Sequence, residues 1–593
     1  MKNTMKRALC MSMALLVCGS VTACGGGGDD GDGDRTNPNA SQILNIAYFN
    51  GGVSVEWLKE LELEYEKANP DVEVSINSEL KDEIKNQKLM ADIANRNEDI
   101  FFTHTISYNE FVNRELFLNI TDVVKAPATT GEETIENRMN ANLREYYNVN
   151  DNYYAVPFYT NFSGAIYDVD LFEEKSLYVS ADGDYTSGLA GQPAKSVGKD
   201  GVAGTYDDGL PATFAEYKTW LNYLSKTRGV TPYIWCTDDS YRTSYLDSLQ
   251  IGYEGVNDFA INVTFNGTTK DGKVITPENA YEIRDLKGRQ FAVEMAKEII
   301  DNKYYHADSV NGSITHTQAQ NTFLRSRPDG KPIAMILEGG WWENESRGTF
   351  SSIASKKGDK YAHGNRRFGY MPVPAYDENA EAGESFYCTS GSIAVAVNKA
   401  TKQADLAKDF LKFTLSEHAM STFTKHIGLS RPYSYDLEEG VYDQLTPFGQ
   451  NFWDLVTSEN SKIYYATKSH EFKSVTTFFG TYEWGWGSEV NGTTQVDPFL
   501  VFLNNKSLTA AQYIAGMKQT YNATNYTAEY QNWLSGQKYD PLKGGLYGQL
   551  SFPSSEREER ARWFCKEEKG GSNLFGLYIR LSYLAIFCNV RGG

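Results

Sequence analysis

The stretch from Ala334 to Ser346 reads AMILEGGWWENES, which places two adjacent tryptophans directly before acidic and amide side chains. Indole rings can cover apolar faces of a ligand, while carboxylate and amide groups bind its polar rim. The residues of this stretch that could line a binding site are therefore Trp341, Trp342 and Glu343. Neighbouring residues at the start of a helix point about 100° apart, so one tryptophan can face the ligand while the other packs into the protein.

Motifs typical of enzymes are not evident in the sequence. It contains no G-x-S-x-G turn, no G-x-x-x-x-G-K-[ST] loop and no H-E-x-x-H motif, and its seven histidines are scattered. Pairs of carboxylates can hydrolyse glycosidic bonds, and the nearest candidates are Glu338, Glu343, Glu345, Asp238 and Asp239. With 77 acidic residues in the chain, however, chance pairs are frequent. We expect a binding protein rather than an enzyme, with a secreted glycan-processing enzyme as the alternative.

The composition narrows the range of partners. The formal net charge of -20 disfavours binding to a nucleic-acid backbone. Aromatic residues make up 13% of the chain, and such rings serve both as core filler and as stacking surfaces for ligands. Beyond Cys24, the cysteines Cys236, Cys388, Cys565 and Cys588 form neither a disulfide framework nor a zinc-binding spacing. A bridge between Cys236 and Cys388 remains an alternative to free thiols.

The N-terminus has the features of a targeting segment. Positive charges precede an apolar run, Leu9–Val17, which is too short to span a bilayer as a stable helix. The following residues, Val21–Cys24, resemble a bacterial lipobox, in which Cys24 would carry a lipid. We predict a lipoprotein signal peptide over residues 1–23, lipidation of Cys24, and a flexible Gly- and Asp-rich tether over residues 24–42. An ordinary signal peptide is the alternative.

Strand and helix patterns alternate along the rest of the chain. Ile43–Phe49 reads as a buried strand, a helix with one apolar face follows it, and Val72–Ile76 alternates as a second strand. This order predicts a parallel sheet in an α/β fold. Further strands are expected at 98–105, as a pair within 153–174, and at 231–235, 334–338 and 392–398, with helices at 212–228 and 404–428. The roughly 550 residues after the tether are too many for a single core, so we expect two or more lobes.

Two segments differ from this pattern. Residues 178–211 are rich in Gly and Asp and predict a long loop, either a plain surface loop or one that holds calcium. The candidate calcium ligands are Asp182, Asp184, Asp200, Asp207 and Asp208. Residues 549–593 form an atypical tail, for which an extra helix, a partner-binding segment and a sequence artefact all remain open.

Several blocks of sequence, taken in order, resemble a known family. They include ILNIAYFNGGVSVEWLKELELEYEKANPDVEVSI, YYAVPFYTNFSGAIYDVDLFEE, KPIAMILEGGWWENES and SGSIAVAVNKATKQADLAKDFLKFTLSEHAMSTFTKHIGLSRP. Together with the lipobox and tether, these blocks resemble the family 1 extracellular solute-binding proteins of ABC importers, the group that contains maltose-binding protein. The resemblance covers residues 43–540.

The resemblance implies a two-lobe, type II periplasmic-binding-protein-like fold with a ligand cleft at a hinge. It implies a monomer that needs no cofactor, binds a carbohydrate, and delivers it to ABC permease subunits at the extracellular face of the membrane. That face is periplasmic if the cell has an outer membrane. A peptide or polyamine as the solute is the alternative. The predicted body spans 43–548, with lobe 1 at 43–158 and 385–430 and lobe 2 at 159–384 and 431–548.

The residues expected in the cleft follow from matching these blocks to the family. An apolar sugar face against indole, with polar groups around the hydroxyl rim, is the arrangement expected for a carbohydrate ligand. The predicted ligand-binding residues are Phe49, Asn50, Thr103, His104, Tyr159, Asn161, Trp235, Asp239, Trp341, Trp342, Glu343, Trp484 and Trp486.

Overall fold

The computed structural model describes most of the predicted body. The described residues are 40–80, 92–104, 106, 108–310, 313–376, 384–391, 393–467, 484, 489–490, 493–494, 497–520 and 522–535. The predicted signal peptide, Cys24, most of the tether, Trp486 and the 549–593 tail lie outside these residues.

The first sheet has five strands and forms the centre of lobe 1. Its strands are β1 (Gln42–Phe49), β2 (Val72–Leu80), β3 (Ile100–Phe102), β4 (Ala155–Pro157) and a later strand, Ala394–Val397. Strand β1 pairs in parallel with both β2 and β3, which confirms the predicted parallel unit, whereas Ala394–Val397 runs antiparallel between β3 and β4.

Helix α1 (Glu56–Ala68) covers this sheet because its apolar residues recur on one side. Trp57, Leu61 and Tyr65 are all buried, as their spacing of four residues predicts. The helix ends at Asn69, whose N–H still donates to Tyr65 O. The predicted strand–helix–strand unit is therefore present.

The second sheet has four strands and forms the centre of lobe 2. Its strands are β5 (Ser163–Asp168), Thr231–Ile234, Ile333–Gly339 and Phe368–Met371. Ile333–Gly339 is central and completely buried, pairing in parallel with Thr231–Ile234 and antiparallel with β5. The continuous apolar run before the two tryptophans thus forms the middle of a sheet, as its composition predicts.

The chain crosses between the two sheets within the segment that was expected to be one strand pair. Strands β4 and β5 are only five residues apart, yet β4 belongs to the first sheet and β5 to the second. The return crossing lies beside it, where Phe162 pairs with Cys388 as an isolated antiparallel bridge. These adjacent crossings form the hinge between the lobes.

The strands after β5, including those already described, are numbered in chain order. They are β6 (Tyr178–Val179), β7 (Tyr185–Thr186), β8 (Thr231–Ile234), β9 (Gly267–Thr268), β10 (Val274–Ile275), β11 (Ile333–Gly339), β12 (Phe368–Met371), β13 (Glu384–Cys388), β14 (Ala394–Val397), β15 (Ser461–Tyr465), β16 (Glu489–Val490) and β17 (Thr493–Thr494).

The helices after α1 are likewise numbered in chain order among the described residues. They are α2 (Tyr108–Asn113), α3 (Thr121–Val124), α4 (Ile135–Arg138), α5 (Ala141–Tyr147), α6 (Val169–Lys175), α7 (Phe214–Asn222), α8 (Asp239–Thr264), α9 (Lys287–Asp301), α10 (His316–Asp329), α11 (Trp342–Glu345), α12 (Arg347–Lys357), α13 (Ala404–Phe413), α14 (Glu417–Ile427), α15 (Val441–Gln444), α16 (Pro447–Thr457), α17 (Pro498–Asn504), α18 (Ala510–Thr520) and α19 (Ala523–Leu534). Short 3-10 or π turns occur at Ile93–Asn95, Tyr223–Thr227, Ala280–Asp285, Ala307–Ser309 and Asp359–Tyr361.

The single helix predicted over 404–428 is two helices, α13 and α14. Ser416 is the N-cap of α14, because its side chain accepts a hydrogen bond from Ala419 N, and it separates the two helices. Gly428 ends α14 with a φ of +74°, a left-handed conformation that glycine adopts without steric cost. Among the described helices, none combines the length and apolar content needed to cross a bilayer.

The predicted alternative of a Cys236–Cys388 disulfide is wrong. Both cysteines are buried as free thiols. Cys388 Sγ lies 3.2 Å from Asn161 N and 3.0 Å from Ser390 Oγ, so it is part of the hydrogen-bonded hinge.

The Gly- and Asp-rich loop is held by hydrogen bonds to its own aspartates. Asp207 is 1% exposed and accepts hydrogen bonds from Lys199 N (2.7 Å) and Asp200 N (3.0 Å). Asp208 accepts from Gly204 N, and Asp182 accepts from Asp184 N. Across the described residues, no group of three or more His, Cys, Asp or Glu side chains is placed to hold a metal ion, so the five aspartates do not gather as the calcium prediction required.

Candidate functional site

The candidate site lies where the carboxyl ends of β1, β3, β8 and β11 are followed by polar and aromatic residues. In open α/β sheets, ligands bind in the crevice outside the carboxyl ends of the strands. In lobe 1 these residues are Phe49, Asn50 and Gly52 after β1 and His104 after β3. In lobe 2 they follow β8 and β11, which pair in parallel.

Trp341 is the point at which the two lobes meet at this site. It is half-buried, and a Cβ placed on Gly52 would lie 2.9 Å from Trp341 Cβ, so the lobe 1 turn lies directly against the tryptophan. Gly52 also has a φ of +73°, which disfavours any other residue. Trp341 is therefore the tryptophan that faces the cleft.

Trp342 points in the other direction and belongs to the core of lobe 2. Its side chain is 0% exposed, and its ring lies 4.8 Å from that of Phe368 in an edge-to-face arrangement. Phe323, Phe350 and Phe448 surround it. The prediction that Trp342 binds ligand is corrected accordingly, because no part of its ring reaches the cleft.

On the lobe 1 side, Phe49 and His104 contact each other at the carboxyl ends of the neighbouring strands β1 and β3. Their ring centres are 4.7 Å apart with an angle of 35° between the planes, and both side chains are half-buried. Asn50 is half-buried next to them in sequence. Thr103, in contrast, is 2% exposed and donates its hydroxyl hydrogen to Ala394 O (3.0 Å). Its side chain therefore stabilises the first sheet.

A pair of carboxyl groups lies beside Trp341 on lobe 2. Glu345 follows Trp341 by four residues, which places both on one face of the short helix α11. The amide Nε2 of Gln320 donates to Glu345 Oε2 (2.8 Å) and to Glu338 Oε2 (3.3 Å), so one donor bridges the two carboxyl groups. Sequence reasoning named the two glutamates as possible catalytic groups and missed Gln320.

Burial governs the charge of this pair. Glu338 is 2% exposed, and its burial, followed by the neighbouring Glu345 carboxylate, raises its pKa well above the usual range. Burial also raises the pKa of Glu345. The pair can therefore donate as well as accept hydrogen bonds, which suits hydroxyl groups.

Two aromatic rings extend the site along lobe 2. Tyr241 and His316 lie nearly parallel, with ring centres 5.9 Å apart and 16° between the planes. His316 Nε2 is 3.8 Å from Glu345 Oε1. Both residues lie at helix starts, Tyr241 in the first turn of α8 and His316 at the first position of α10. Helix α8 follows strand β8, so Tyr241 carried a signal in the sequence, whereas α10 follows a 3-10 turn and His316 carried none.

Trp235 and Trp484, which were predicted to bind ligand, are in the interior instead. Trp235 is 1% exposed and packs on Tyr305 and Phe499 in lobe 2. Trp484 is 2% exposed, donates from Nε1 to Asp247 Oδ1 (2.8 Å), and has the Arg289 guanidinium 4.5 Å from its ring centre.

Asn161 is fully buried in the hinge. Its Oδ1 accepts from Gly340 N (2.5 Å) and its Nδ2 donates to Thr389 Oγ1 (2.8 Å), so it joins both crossings to the turn before Trp341. These contacts hold the hinge and the core together. Trp235, Trp484 and Asn161 are buried, so the prediction that they lie on the ligand surface is corrected.

Tyr159, Asp239 and Glu343 are placed differently again. Tyr159 is 3% exposed and packs edge-on against Phe158, and burial raises its pKa. Asp239 is exposed in the first turn of α8. Glu343 is two residues from both Trp341 and Glu345, roughly 200° around the helix, and contacts Thr446 instead of the cleft.

A pH-dependent stability should result from the buried carboxyl Glu338. An unfolded glutamate has a pKa of about 4.3, whereas burial holds the folded carboxyl protonated to a higher pH. The folded state then binds more protons than the unfolded state, so stability falls as pH rises above about 4 until the folded carboxyl ionises. We expect Glu338→Gln to melt like the parent at pH 4 and above it at pH 8, as measured by thermal unfolding across this range.

The control is Glu110→Gln, which changes an exposed carboxylate of α2. Because this carboxylate is exposed and its ion pair with Arg114 lies at the surface, where such pairs contribute about 1 kcal/mol or less, the variant should melt close to the parent at both pH values. A Glu338→Gln variant whose difference from the parent does not grow with pH would contradict the prediction.

Comparisons with known proteins agree with this architecture. The family model described as bacterial extracellular solute-binding protein matches residues 51–420, which is more than half of the chain. Comparison with curated proteins gave no match.

Solved structures share the fold at low sequence identity. The apo form of RafE from Streptococcus pneumoniae has a TM-score of 0.51 and 15% identity, covering 82% of this chain and 99% of that chain. A structure described in work on xylan utilization by Caldanaerobius polysaccharolyticus has a TM-score of 0.51 and 14% identity, covering 81% and 100%. The cyclic alpha-maltosyl-1,6-maltose binding protein from Arthrobacter globiformis has a TM-score of 0.50 and 13% identity, covering 83% and 100%.

These likenesses confirm the expected two-lobe, type II periplasmic-binding-protein-like fold. In this chain, the two sheets described above are the centres of the two lobes. The family match extends from the Gly51–Gly52 turn through Trp341 to α14. The chain therefore belongs to the bacterial extracellular solute-binding proteins of family 1.

Proposed function

We propose that this protein captures a carbohydrate, an oligosaccharide, between its lobes. The observation that carries the proposal is Trp341, whose half-buried indole lies at the contact between the lobes. The Glu338–Glu345 carboxyl pair lies on the same side of the site as this indole. An indole covers the apolar face of a pyranose, and the carboxyl groups and Gln320 bind its hydroxyl rim.

Selectivity comes from the polar groups. A satisfied hydrogen bond contributes only about 1 kcal/mol net, whereas a buried polar group left unmatched costs about 1–3 kcal/mol. A sugar that leaves one of the two carboxyl groups without a partner is therefore bound less tightly than one that matches both.

Ligand binding is accompanied by closure of the two lobes. Contacts made only when lobe 1 meets lobe 2, such as those around Gly52 and Trp341, shift an open–closed equilibrium toward the closed form. Delivery to ABC permease subunits follows from this closed form. A lipid at Cys24 and the tether after it would hold the protein, as a monomer, at the extracellular face of the membrane.

Two of the similar structures support a carbohydrate over other solutes. One is named for binding cyclic alpha-maltosyl-1,6-maltose, and the other comes from work on xylan utilization. The role proposed here is non-catalytic and requires no cofactor.

The proposal is tested by thermal shift and tryptophan fluorescence with a panel of mono- and oligosaccharides. A ligand at one hundred times its Kd stabilises the native state by about 2.7 kcal/mol, so even a weak binder raises the melting temperature. We expect stabilisation by one class of oligosaccharide, accompanied by a change in Trp emission. Stabilisation by peptides or polyamines but by no sugar would overturn the carbohydrate assignment.

A cationic solute such as a polyamine is the second candidate. The observation that favours it is the buried carboxyl pair, because an ammonium group between Glu338 and Glu345 would stabilise their ionised forms. Polyamine binding would strengthen as pH rises through the pKa values of the pair, whereas binding of a neutral sugar would not follow them in this way. The same ligand panel measured at two pH values distinguishes the two candidates.

A further inference from the structure

A second polar cavity, here called the Glu343 cavity, lies apart from the Trp341 face of the site. Its volume is about 370 Å³, and its lining includes Glu343, Arg347, His363, Lys425 and Thr446. Trp341, Glu338 and Glu345 are not among the lining residues, because Glu343 points to the other side of α11. The volume lies in the range of small-molecule pockets, about 300–1,000 Å³.

Two buried polar atoms in this cavity have no hydrogen-bond partner among the described residues. They are Glu343 Oε1 and His363 Nε2. Glu343 is only 6% exposed, and its other oxygen, Oε2, accepts from Thr446 Oγ1 (2.6 Å) and lies 3.9 Å from His363 Nε2. Buried polar atoms are nearly always paired, so these two indicate an occupant that supplies the missing hydrogen bonds.

The charges of the wall restrict the kind of occupant. Burial raises the pKa of Glu343 to about 7, and burial followed by the Arg347 charge lowers the pKa of His363 to about 4. Between these values both groups are largely uncharged. An anion would be repelled by the lone pairs of the Glu343 carboxyl group, and a cation would be repelled by the positive charges of Arg347 and Lys425. A neutral molecule therefore fits best.

Hydroxyl groups match both orphaned atoms. Since Thr446 donates into Oε2, a proton taken up by Glu343 goes to Oε1, which then becomes a donor; the ionised form makes Oε1 an acceptor. A hydroxyl can serve either form and can also donate to or accept from His363 Nε2, according to its tautomer.

The walls come from both lobes. Helix α14 packs on α1 in lobe 1. There Lys425 Nζ lies 2.6 Å from Glu60 Oε1, and His426 Nε2 lies 2.6 Å from Glu60 Oε2. From lobe 2, Asn344 Nδ2 donates to Ile427 O (2.8 Å), and Arg347 donates to His426 O (3.2 Å). An occupant would therefore contact the inter-lobe junction beside the cleft.

We propose that the Glu343 cavity is a second binding site, which takes a neutral, hydroxyl-bearing molecule the size of one monosaccharide or cyclic polyol. This site is independent of the proposed ligand cleft. Its occupant stabilises the junction between α11 and α14.

The proposal is tested by isothermal titration of the purified protein with D-glucose, D-xylose and myo-inositol at millimolar concentrations. We expect at least one probe to bind the parent and the Trp341→Ala variant equally well. Glu343→Gln and His363→Ala should each weaken that binding about tenfold, the loss of roughly one hydrogen bond. His418→Ala, which changes an exposed histidine of α14 outside the cavity, should leave it unchanged.

Folding of each variant is checked by circular dichroism, and His363→Ala serves if Glu343→Gln fails to fold, because the His363 side chain is partly exposed. Binding that is lost in Trp341→Ala but kept in both cavity variants would place the probe in the cleft and overturn the proposal. The absence of binding by all three probes would also overturn it, leaving a cavity filled only with water.

Discussion

Replacing Trp341 with alanine should weaken binding of the cleft ligand at least about 30-fold, which corresponds to about 2 kcal/mol. The indole lies against Gly52 of lobe 1 and is only half-buried, so part of its apolar surface remains available to a ligand. The measurement is isothermal titration with the sugar identified in the ligand panel. Trp341→Phe, which retains a smaller ring, should recover part of the lost affinity.

The control for this experiment is Trp235→Phe. Trp235 is 1% exposed in the core of lobe 2, so this change should leave affinity nearly unaltered in protein that remains folded. Equal affinity in the parent and Trp341→Ala would show that the ligand does not stack on this ring. The proposed role of the Trp341 face would then be wrong, even if a sugar binds elsewhere.

Replacing Trp342 with alanine should lower the free energy of unfolding by about 3–5 kcal/mol, because it leaves a cavity in a packed aromatic cluster. The ring is fully buried and is surrounded by four phenylalanines. Its indole Nε1 has no partner among the described residues, so the loss is one of packing and not of a hydrogen bond. Chemical denaturation of the variant and the parent measures the difference.

Trp342→Phe is the matched variant, since it keeps an aromatic ring and removes the N–H that lacks a partner. It should cost less than half of the alanine change. Trp341→Ala should cost clearly less than Trp342→Ala, because Trp341 is only half-buried. Equal destabilisation by the two alanine variants would contradict the assignment of one ring to the cleft and the other to the core.

The two tryptophans show why aromatic residues are ambiguous in sequence. Trp235 and Trp342 had the same apparent relation to strand ends as Trp341, yet both are 1% exposed or less. An indole fills a core and stacks on a sugar through the same apolar faces. Only its neighbours in space, such as Gly52 beside Trp341, distinguish the two uses.

Glu343 and Glu345 show the same limit for acidic residues. Helix periodicity places their side chains roughly 200° apart around the helix, and this separation can be calculated from the sequence. It could not show that Gln320 and His316 approach from α10 on one side while Thr446 and His363 approach on the other. The partners come from segments distant in sequence, and they decide which carboxyl belongs to the cleft.

The sequence by itself determined the local elements and the family. Strands β1, β2 and β11 and helix α1 followed from apolar periodicity, because each must bury one face or its whole length. The tertiary structure alone decided that Cys236 and Cys388 remain free and that Trp341 faces the cleft. Periodicity records which side of an element is buried, whereas the identity of the neighbour across the hinge depends on how distant segments pack together.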